Sequence, residues 1–566
     1  MGILKKTATA IDVFKKGGFT GIANKIEQKK RLAALKRSER QWLAKNGIIN
    51  ETELESLRHQ IAHFARQPLI SILLPVYNVD GKWLRKCINS VLVQIYENWE
   101  LCIADDKSPE PHIRRVLDEY VSLDPRIKVF YRPENGHISA ASNSALEMAT
   151  GEFSILLDHD DELSVDALFW VAKEILDEPA TAMIYSDEDM MDDQDRRFAF
   201  KFKPDFSRDL LYSLNLVTHL SAYKTDILRA IGGFRIGIEG SQDYDLALRF
   251  IDQIDERQIR HIPRILYHWR AIAGSVALSG DEKPYAHERA RTAIRDHFER
   301  TGVKAVVEQT HFNLHRVRYA LPENMPTVSL ILANHSVENG SSVRQKWLSS
   351  TLYENIEIIF TESSGNRAAD LNQSAANAKG EILCFSDERI LPESEEWLTE
   401  LVGFAIQPQI GAVGGKVVSY LDHVIGGGIV LGGEQLCSIA HSSYHCEEPG
   451  NFGRNRVIGN YSAVSASCFV IRTGLFREVN GFEATGLQNA FFDADLCLRL
   501  GLLGLRIVHN PCVELKQSSK NPDLVEPEPT EAERRYFSAK WKSEIAKDRF
   551  YNPNFSDADG RFDLKI

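Results

Sequence analysis

A chain of 566 residues is too long for one hydrophobic core, and its 43% hydrophobic and 26% charged residues describe a soluble globular protein of two or three domains. No apolar run approaches the roughly 20 residues that span a bilayer, and the eight cysteines form no CxxC pair, so buried thiols are expected rather than a disulfide frame or zinc site. The net charge of −12 conceals twelve Lys or Arg against three acids in residues 1 to 45, and the strongly acidic remainder argues against a general nucleic-acid binder.

That basic stretch comes first in the chain and has a helical pattern, broken at Lys16-Gly17-Gly18 and resumed from about Glu51 to Arg66. With Ile3, Leu4, Ile11, Val13, Phe14, Ile22 and Ile26 among its cations, it could lie on an anionic membrane surface or pack on its own protein. The N-terminus has no apolar h-region followed by a cleavage site, so the cytosol is the expected compartment.

Short aliphatic runs then alternate with helix patterns. Ile70 to Leu74 ends at Pro75, Trp99 to Ala104 ends at Asp105-Asp106, Ile127 to Tyr131 follows a further helix, and Phe153 to Leu157 ends at Asp158. This alternation predicts an α/β domain with a mainly parallel sheet, whose ligands bind beyond the carboxyl ends of the strands. A dinucleotide-binding domain would need GxGxxG after the first strand, and the chain has Pro75-Val76-Tyr77-Asn78 there.

The fourth run continues into Asp158-His159-Asp160-Asp161. A helix cap would account for Asp161 alone, whereas Asp158 and Asp160, two apart on an extended segment, can share a hard cation such as Mg2+ or Mn2+. Acid-base work is the third use of such a cluster.

An internal repeat follows. Ile70 to Leu74 returns as Val328 to Leu332, Tyr96-Glu97-Asn98 as Tyr353-Glu354-Asn355, Gly151-Glu152 as Gly380-Glu381, and Asp243 to Arg249 as Asp493 to Arg499. Two domains of one fold are therefore expected, meeting near Leu321 to Pro326. The expected division is a basic helical region at 1–68, a catalytic domain at 69–310, a second and degenerate domain at 326–520, and a C-terminal extension at 521–566.

PVYN after the first strand, Asp105-Asp106, Asn135 to Asn143, the DxD of Asp158 and Asp160, GGF at Gly232 to Phe234 and QDYDLALR at Gln242 to Arg249 together resemble family 2 glycosyltransferases of GT-A fold. YSDED at Tyr185 to Asp189 and YHWR at Tyr267 to Arg270 resemble the tandem-domain members that build bacterial surface polysaccharides, of rhamnosyl or O-antigen type. The resemblance implies an inverting transferase acting on a nucleotide-diphosphate sugar, with dTDP-rhamnose the first donor to try. It implies a lipid-linked glycan acceptor and a place at the inner face of the cytoplasmic membrane. It also implies roles: Asp158, Asp160 and His268 for the metal; Pro75, Tyr77, Asp105, Asp106, Asn143 and Asp158 for the donor; and Asp243 as general base, a residue that would equally serve as a helix N-cap.

In the second copy Asp387 stands for Asp158, but Arg389 stands for Asp160, Glu362-Ser363 for the Asp pair and Ala333 for Pro75. Counting from Asp493 puts Ser518 in the place of His268, and the stretch from Ser364 to Gly380 is too short for a strand and helix. The second site is expected to have lost its metal and donor. Alternatives are a bifunctional transferase whose second site uses Arg389, and a non-catalytic glycan-binding scaffold.

Overall fold

The computed structural model describes residues 26, 28–272, 284–310, 314–333, 340–518, 527–556 and 559–566, so most of the basic N-terminal stretch lies outside the described residues. The chain forms two compact units, residues 49–320 and residues 1–48 with 321–566.

In the first unit, helix Glu51–Ala62 opens with a reciprocal cap between Asn50 and Glu53 and buries Leu57 against the core. Nine strands follow: β1 (Ile70–Val76), β2 (Trp99–Asp105), β3 (Ile127–Tyr131), β4 (Phe153–Leu156), β5 (Glu162–Leu163), β6 (Met183–Met191), β7 (Arg197–Lys201), β8 (Ser221–Lys224) and β9 (Ile259–Arg270). Their order in the sheet is β3-β2-β1-β4-β8-β6-β9-β5, with β7 on β6. β1 and β2 are buried at every residue, as strands covered by helices on both faces must be. β1 runs parallel to β2 and β4, so Val76, Asp105 and the loop after Leu156 leave the sheet along one edge. A hairpin of β10 (Ala305–Gln309) and β11 (His315–Tyr319) closes the unit.

The second unit holds β12 (Val328–Ala333), β13 (Ile356–Phe360), β14 (Ile382–Asp387), β15 (Ile390–Pro392), β16 (Ile410–Val418), β17 (Val424–Gly426), β18 (Gly428–Gly432), β19 (Leu436–Ile439), β20 (Gly459–Asn460), β21 (Ala463–Val464), β22 (Cys468–Arg472) and β23 (Arg506–Gln517). Its main sheet runs β13-β12-β14-β22-β16-β23-β15. This is the first order strand for strand, without an equivalent of edge strand β3. The fold is thus α/β with one strand order shared by the two units, and the stretch from Ser364 to Gly380 holds the helix Arg367–Asn377 and, among the described residues, no further strand. β18, β19 and β21 form a separate three-stranded sheet.

The residues that repeat in the sequence are fixtures of the backbone. Tyr96 and Tyr353 each donate a hydroxyl proton to the carbonyl of the proline before the first strand, Pro68 or Pro326. Asn143 clamps the backbone N–H and carbonyl of Phe234 at 2.8 Å each, and Asn372 does the same to Phe482. Arg249 ties Asp245 to the carbonyls of Ile231 and Gly233, as Arg499 ties Asp495 to those of Val479 and Gly481.

The ends of the chain join the second unit. Residues 28–46 are helical, with Trp42 buried, while Arg31 lies 4.0 Å over the Tyr444 ring and donates to Ser443 O at 3.2 Å. Lys29, Lys30, Lys36, Arg37 and Arg40 remain exposed. The stretch expected as a C-terminal extension contributes Phe537 and Trp541 to the core, and Trp541 donates its indole N–H to Asp495 at 2.9 Å. The eight cysteines are free thiols, six of them buried.

The two asparagine clamps make a paired test of scaffold equivalence. Asn143→Ala and Asn372→Ala should each lower stability by about 1–3 kcal/mol, because each leaves a backbone N–H and carbonyl without partners. Denaturant midpoints of the full chain check this. A midpoint unchanged in either variant would show that the corresponding clamp carries no stability.

Candidate active site

The acidic loop after β4 is held by groups from β9. Tyr267 donates its hydroxyl proton to Asp161 at 2.6 Å and accepts from the Asp158 N–H at 3.2 Å, while the Arg270 N–H donates to the other Asp161 oxygen at 2.7 Å. The Arg270 guanidinium is fully buried, 4.4 Å over the Trp83 ring. It donates to Glu162, to Asp195 at 3.0 Å, and to the carbonyls of Asp160 at 3.0 Å and Asp192 at 3.1 Å. Asp161 therefore caps no helix, contrary to the simplest reading of the sequence. It anchors the loop, and burial first, then the Asp160 and Asp158 charges, push its carboxyl well above the ordinary range. Burial likewise raises Asp160. Asp158 is the exposed member, with 45% of its side chain open.

Three consecutive acids on β6 each face a histidine. Asp187 contacts His261 at 2.9 Å, Glu188 lies 3.6 Å from His219, and Asp189 contacts His268 at 2.7 Å. All three acids are buried, and cations balance them: Lys201 and Lys203 on Glu188 at 2.5 and 3.0 Å, and Arg197 on Asp189 at 2.5 Å. Although burial opposes it, Glu188 is held well below its ordinary value by Lys201, Lys203 and His219. Lys203 also donates to the carbonyls of Thr218 and His219, fixing the approach to β8. Among the described residues, Asp158, Asp161 and His219 form the group of potential metal ligands, with ligand atoms within 4.8 Å of one another. Neither Asp160 nor His268 is part of it.

Asp243 lies in the first turn of helix Gln242–Ile251, whose N-cap is Ser241. It is therefore inside the helix rather than at its cap. Asn215 donates its amide to Asp243 at 2.9 Å. Burial raises the Asp243 carboxyl, His219 lowers it and Asp158 raises it again, and the balance is upward. Asp243 thus shares one electrostatic environment with the acidic loop and His219.

The remaining expected donor residues fall into two sets. Tyr77 is half exposed just past β1, and the Pro75 carbonyl lies 3.3 Å from His159 Nδ1. Asp105 and Asp106 are buried: Asp105 accepts from the Ser108 N–H at 3.3 Å, and Asp106 accepts at one oxygen from Arg132 at 2.8 Å and the Gly136 N–H at 2.9 Å. The second Asp106 oxygen is buried without a hydrogen-bond partner. Asn143 spends its amide on Phe234. Sequence reading missed His219, Lys203 and the pairing role of the three β6 acids. The run of acids in YSDED was a usable signal for Glu188, whereas nothing in Thr218-His219-Leu220 marks His219.

Strand register gives the counterparts in the second unit. Ile155–Ala222 and Ile184–Ala222 match Cys384–Val470 and Val413–Val470, while Met183–Ile259 and Leu163–Tyr267 match Ala412–Ile507 and Pro392–Leu515. His268 thereby matches Lys516, two residues before the position reached by counting from Asp493. Asp161 matches Ile390, Asp187 to Asp189 match Lys416, Val417 and Val418, and His219 matches Ser467. The Arg389 guanidinium closes on Asp387 with two bonds of 2.7 Å. Asp493 accepts from the Ala466 and Ala494 N–H groups at 2.8 Å each.

Residues 71–232 match the model of the family described as Glycosyl transferase family 2. An uncharacterized protein of Sinorhizobium fredii is 37% identical over 526 residues, 86% of this chain and 58% of that protein. The O-antigen biosynthesis protein RfbC of Myxococcus xanthus is 31% identical over 478 residues, 79% of this chain and 37% of that protein. The chain thus spans well under two thirds of either relative. The structure of S. aureus TarS 1-349 with UDP-GlcNAc aligns at 20% identity over 40% of this chain and 65% of that one, with a TM-score of 0.33. No helix among the described residues is long and apolar enough to cross a membrane.

The half-buried Asp243 carboxyl sets a pH-dependent stability. Its folded pKa is raised, so its ionisation opposes folding increasingly as pH rises from the ordinary carboxylate range through the folded value. Asp243→Asn keeps the bond from Asn215 and should raise the thermal midpoint at pH 7. That gain should vanish below about pH 4, where wild type is neutral at this position too. Thermal unfolding at a series of pH values checks it, and a gain that grows toward acid would contradict the assigned direction.

Proposed function

Starting from a family 2 glycosyltransferase domain at residues 71–232, we propose that residues 69–310 transfer a sugar from a nucleotide-diphosphate donor to a growing surface polysaccharide, with inversion at the anomeric carbon. The observation that carries this reading is Asp243, half-buried in the first turn of helix Gln242–Ile251 and held by the Asn215 amide at 2.9 Å, its carboxyl raised by burial against the pull of His219. A raised carboxylate is a stronger base, suited to taking the acceptor hydroxyl proton as that oxygen attacks. Asn215 holds its orientation.

The donor side uses the edge beyond β1, β2 and β4. Tyr77 and Pro75 shape the nucleotide pocket, and Asp105 and Asp106 line it, with the unpartnered Asp106 oxygen available to a donor hydrogen. Asn143 serves through the turn it clamps. The residues fit a hard divalent cation: Asp158 and Asp160 are carboxylates two apart on a loop whose backbone is fixed by Arg270 and Tyr267, leaving their side chains to a ligand. A bound Mn2+ or Mg2+ would supply neutralisation of the leaving diphosphate. His268, its Nδ1 oriented by Asp189, supplies a nitrogen to the diphosphate.

The second unit is non-catalytic in this proposal. Arg389 occupies the carboxylate that would bind a metal, and Asp161, Asp187 to Asp189, His219 and His268 have neither acid nor histidine at their matching positions, although Asp158 and Asp243 keep Asp387 and Asp493. A bifunctional enzyme would need a donor pocket beside Asp387, where the edge strand is missing. The exposed cations Lys29, Lys30, Lys36, Arg37 and Arg40 favour contact with an anionic membrane, where each contributes on the order of 1 kcal/mol. The acceptor is then a glycan on a lipid carrier at the inner face of the cytoplasmic membrane.

The test is a screen of nucleotide sugars, dTDP-rhamnose first, for manganese-dependent transfer. In the active pair Asp243→Asn should lower turnover by about 10²- to 10⁴-fold with donor affinity retained. Asp387→Ala should leave product and rate largely unchanged. Turnover of Asp243→Asn within a few-fold of wild type would place the base elsewhere, and loss of one of two distinct linkages in Asp387→Ala would establish the bifunctional enzyme.

A further inference from the structure

We infer that His219 is the nitrogen ligand of the divalent cation in the first unit, held for that task by Glu188 and Lys203. This rests on the metal-dependent reading above and names a ligand that the sequence motifs do not contain.

The distances around His219 are those of a ligand waiting for an ion. Its Nε2 is 3.9 Å from an Asp158 oxygen, beyond any hydrogen bond. Two ligands of one ion, each bonded at about 2.1 Å, stand about 3 to 4 Å apart depending on the angle between them, so a cation fits between these two atoms. The other nitrogen, Nδ1, is buried without a hydrogen-bond partner and faces Glu188 at 3.6 Å. A carboxylate behind the second nitrogen is the usual support of a metal-binding histidine, because it fixes the tautomer and the ring plane.

The support is itself built from buried charge. Glu188 is paired by Lys201 and by the fully buried Lys203, and Lys203 also bonds the His219 carbonyl at 2.9 Å. One ammonium thus fixes both the histidine backbone and the carboxylate behind its ring. The ring lies stacked on Tyr267, centroids 4.6 Å apart at 17°, and Tyr267 is the residue that anchors the acidic loop. Asp161 completes the cluster in space, but both its oxygens already accept hydrogen bonds, so the cation falls to Asp158 and His219 with oxygens of the donor. His268 has an equivalent carboxylate in Asp189 but lies outside the 4.8 Å group.

Mn2+ bound to the full-length protein without donor gives the test, read by pulsed electron paramagnetic resonance for 14N coupling and by titration for affinity. Wild type should show nitrogen coupling. His219→Ala and the bulkier His219→Gln, each checked for native circular dichroism, should lose the coupling and bind Mn2+ at least about tenfold more weakly, while His268→Ala keeps the coupling. Coupling that persists in both His219 variants, or that disappears in His268→Ala, overturns the assignment. Mn2+ bound to wild type without nitrogen coupling overturns it too and leaves the metal-dependent transferase standing, whereas no Mn2+ binding by wild type overturns both.

Discussion

The first site depends on one buried cation. Burying a guanidinium costs several kcal/mol unless carboxylates and carbonyls surround it, and Arg270 is surrounded on every side: Glu162, Asp195 and the carbonyls of Asp160 and Asp192, with Trp83 beneath. Two of those groups belong to the acidic loop, so its path is fixed by the need to satisfy Arg270. Removing one partner of such a buried pair typically costs about 3–5 kcal/mol. That is how a tight turn at His159-Asp160, closed by the Asp161 N–H on the Asp158 carbonyl at 3.2 Å, can follow directly on the aliphatic strand. The cation takes the backbone and Glu162, Tyr267 takes Asp161, and Asp158 is left facing outward.

The second unit solves the same charge problem locally. Its match for Arg270 is Ser518, and Arg389 sits two residues from Asp387 and pairs with it directly. The local solution uses up the carboxylate that the distant one leaves open. The same contrast runs along the central strand, where Asp187, Glu188 and Asp189 are matched by Lys416, Val417 and Val418. Glu188 and Asp189 face His219 and His268, and with Ser467 and Lys516 in those places a buried carboxylate would be a cost with no return, whereas His261 keeps a histidine match in His509. What persists in both units is the set of bonds that closes the backbone, namely the tyrosine on the proline carbonyl, the asparagine clamp and the arginine under the Gly-Phe turn.

Much of this was legible in the sequence for physical reasons. Strands buried on both faces read as continuous aliphatic runs, so β1, β2, β4 and their counterparts stood out, and the repeat exposed the second sheet before any geometry was known. The acids at the ends of β2 and β4 were legible because charge directly after an aliphatic run has few explanations. What could not be read was anything set by register. Lys516 rather than Ser518 matches His268 because β9 and β23 are placed by their neighbours, not by distance from Asp243 or Asp493. His219 was silent because its partners, Asp158 and Glu188, lie tens of residues away and meet it only through the sheet. Asn143 looked like a ligand contact because it sits in a motif, and its amide proved to be occupied by the backbone.

The two surviving helix-turn acids show how one residue can keep its place and change its chemistry. Burial raises Asp243 and Asp493 alike. Around Asp243, His219 and the N–H groups of its own helix turn favour ionisation while Asp158 opposes it, and the carboxyl stays raised. Around Asp493 the further groups are the Ala466 and Ala494 N–H donors and Arg367, all of which favour the ionised form. Burial still outweighs them and holds Asp493 raised, and its bonds to the Ala466 and Ala494 N–H groups tie the loop before β22 to the helix turn.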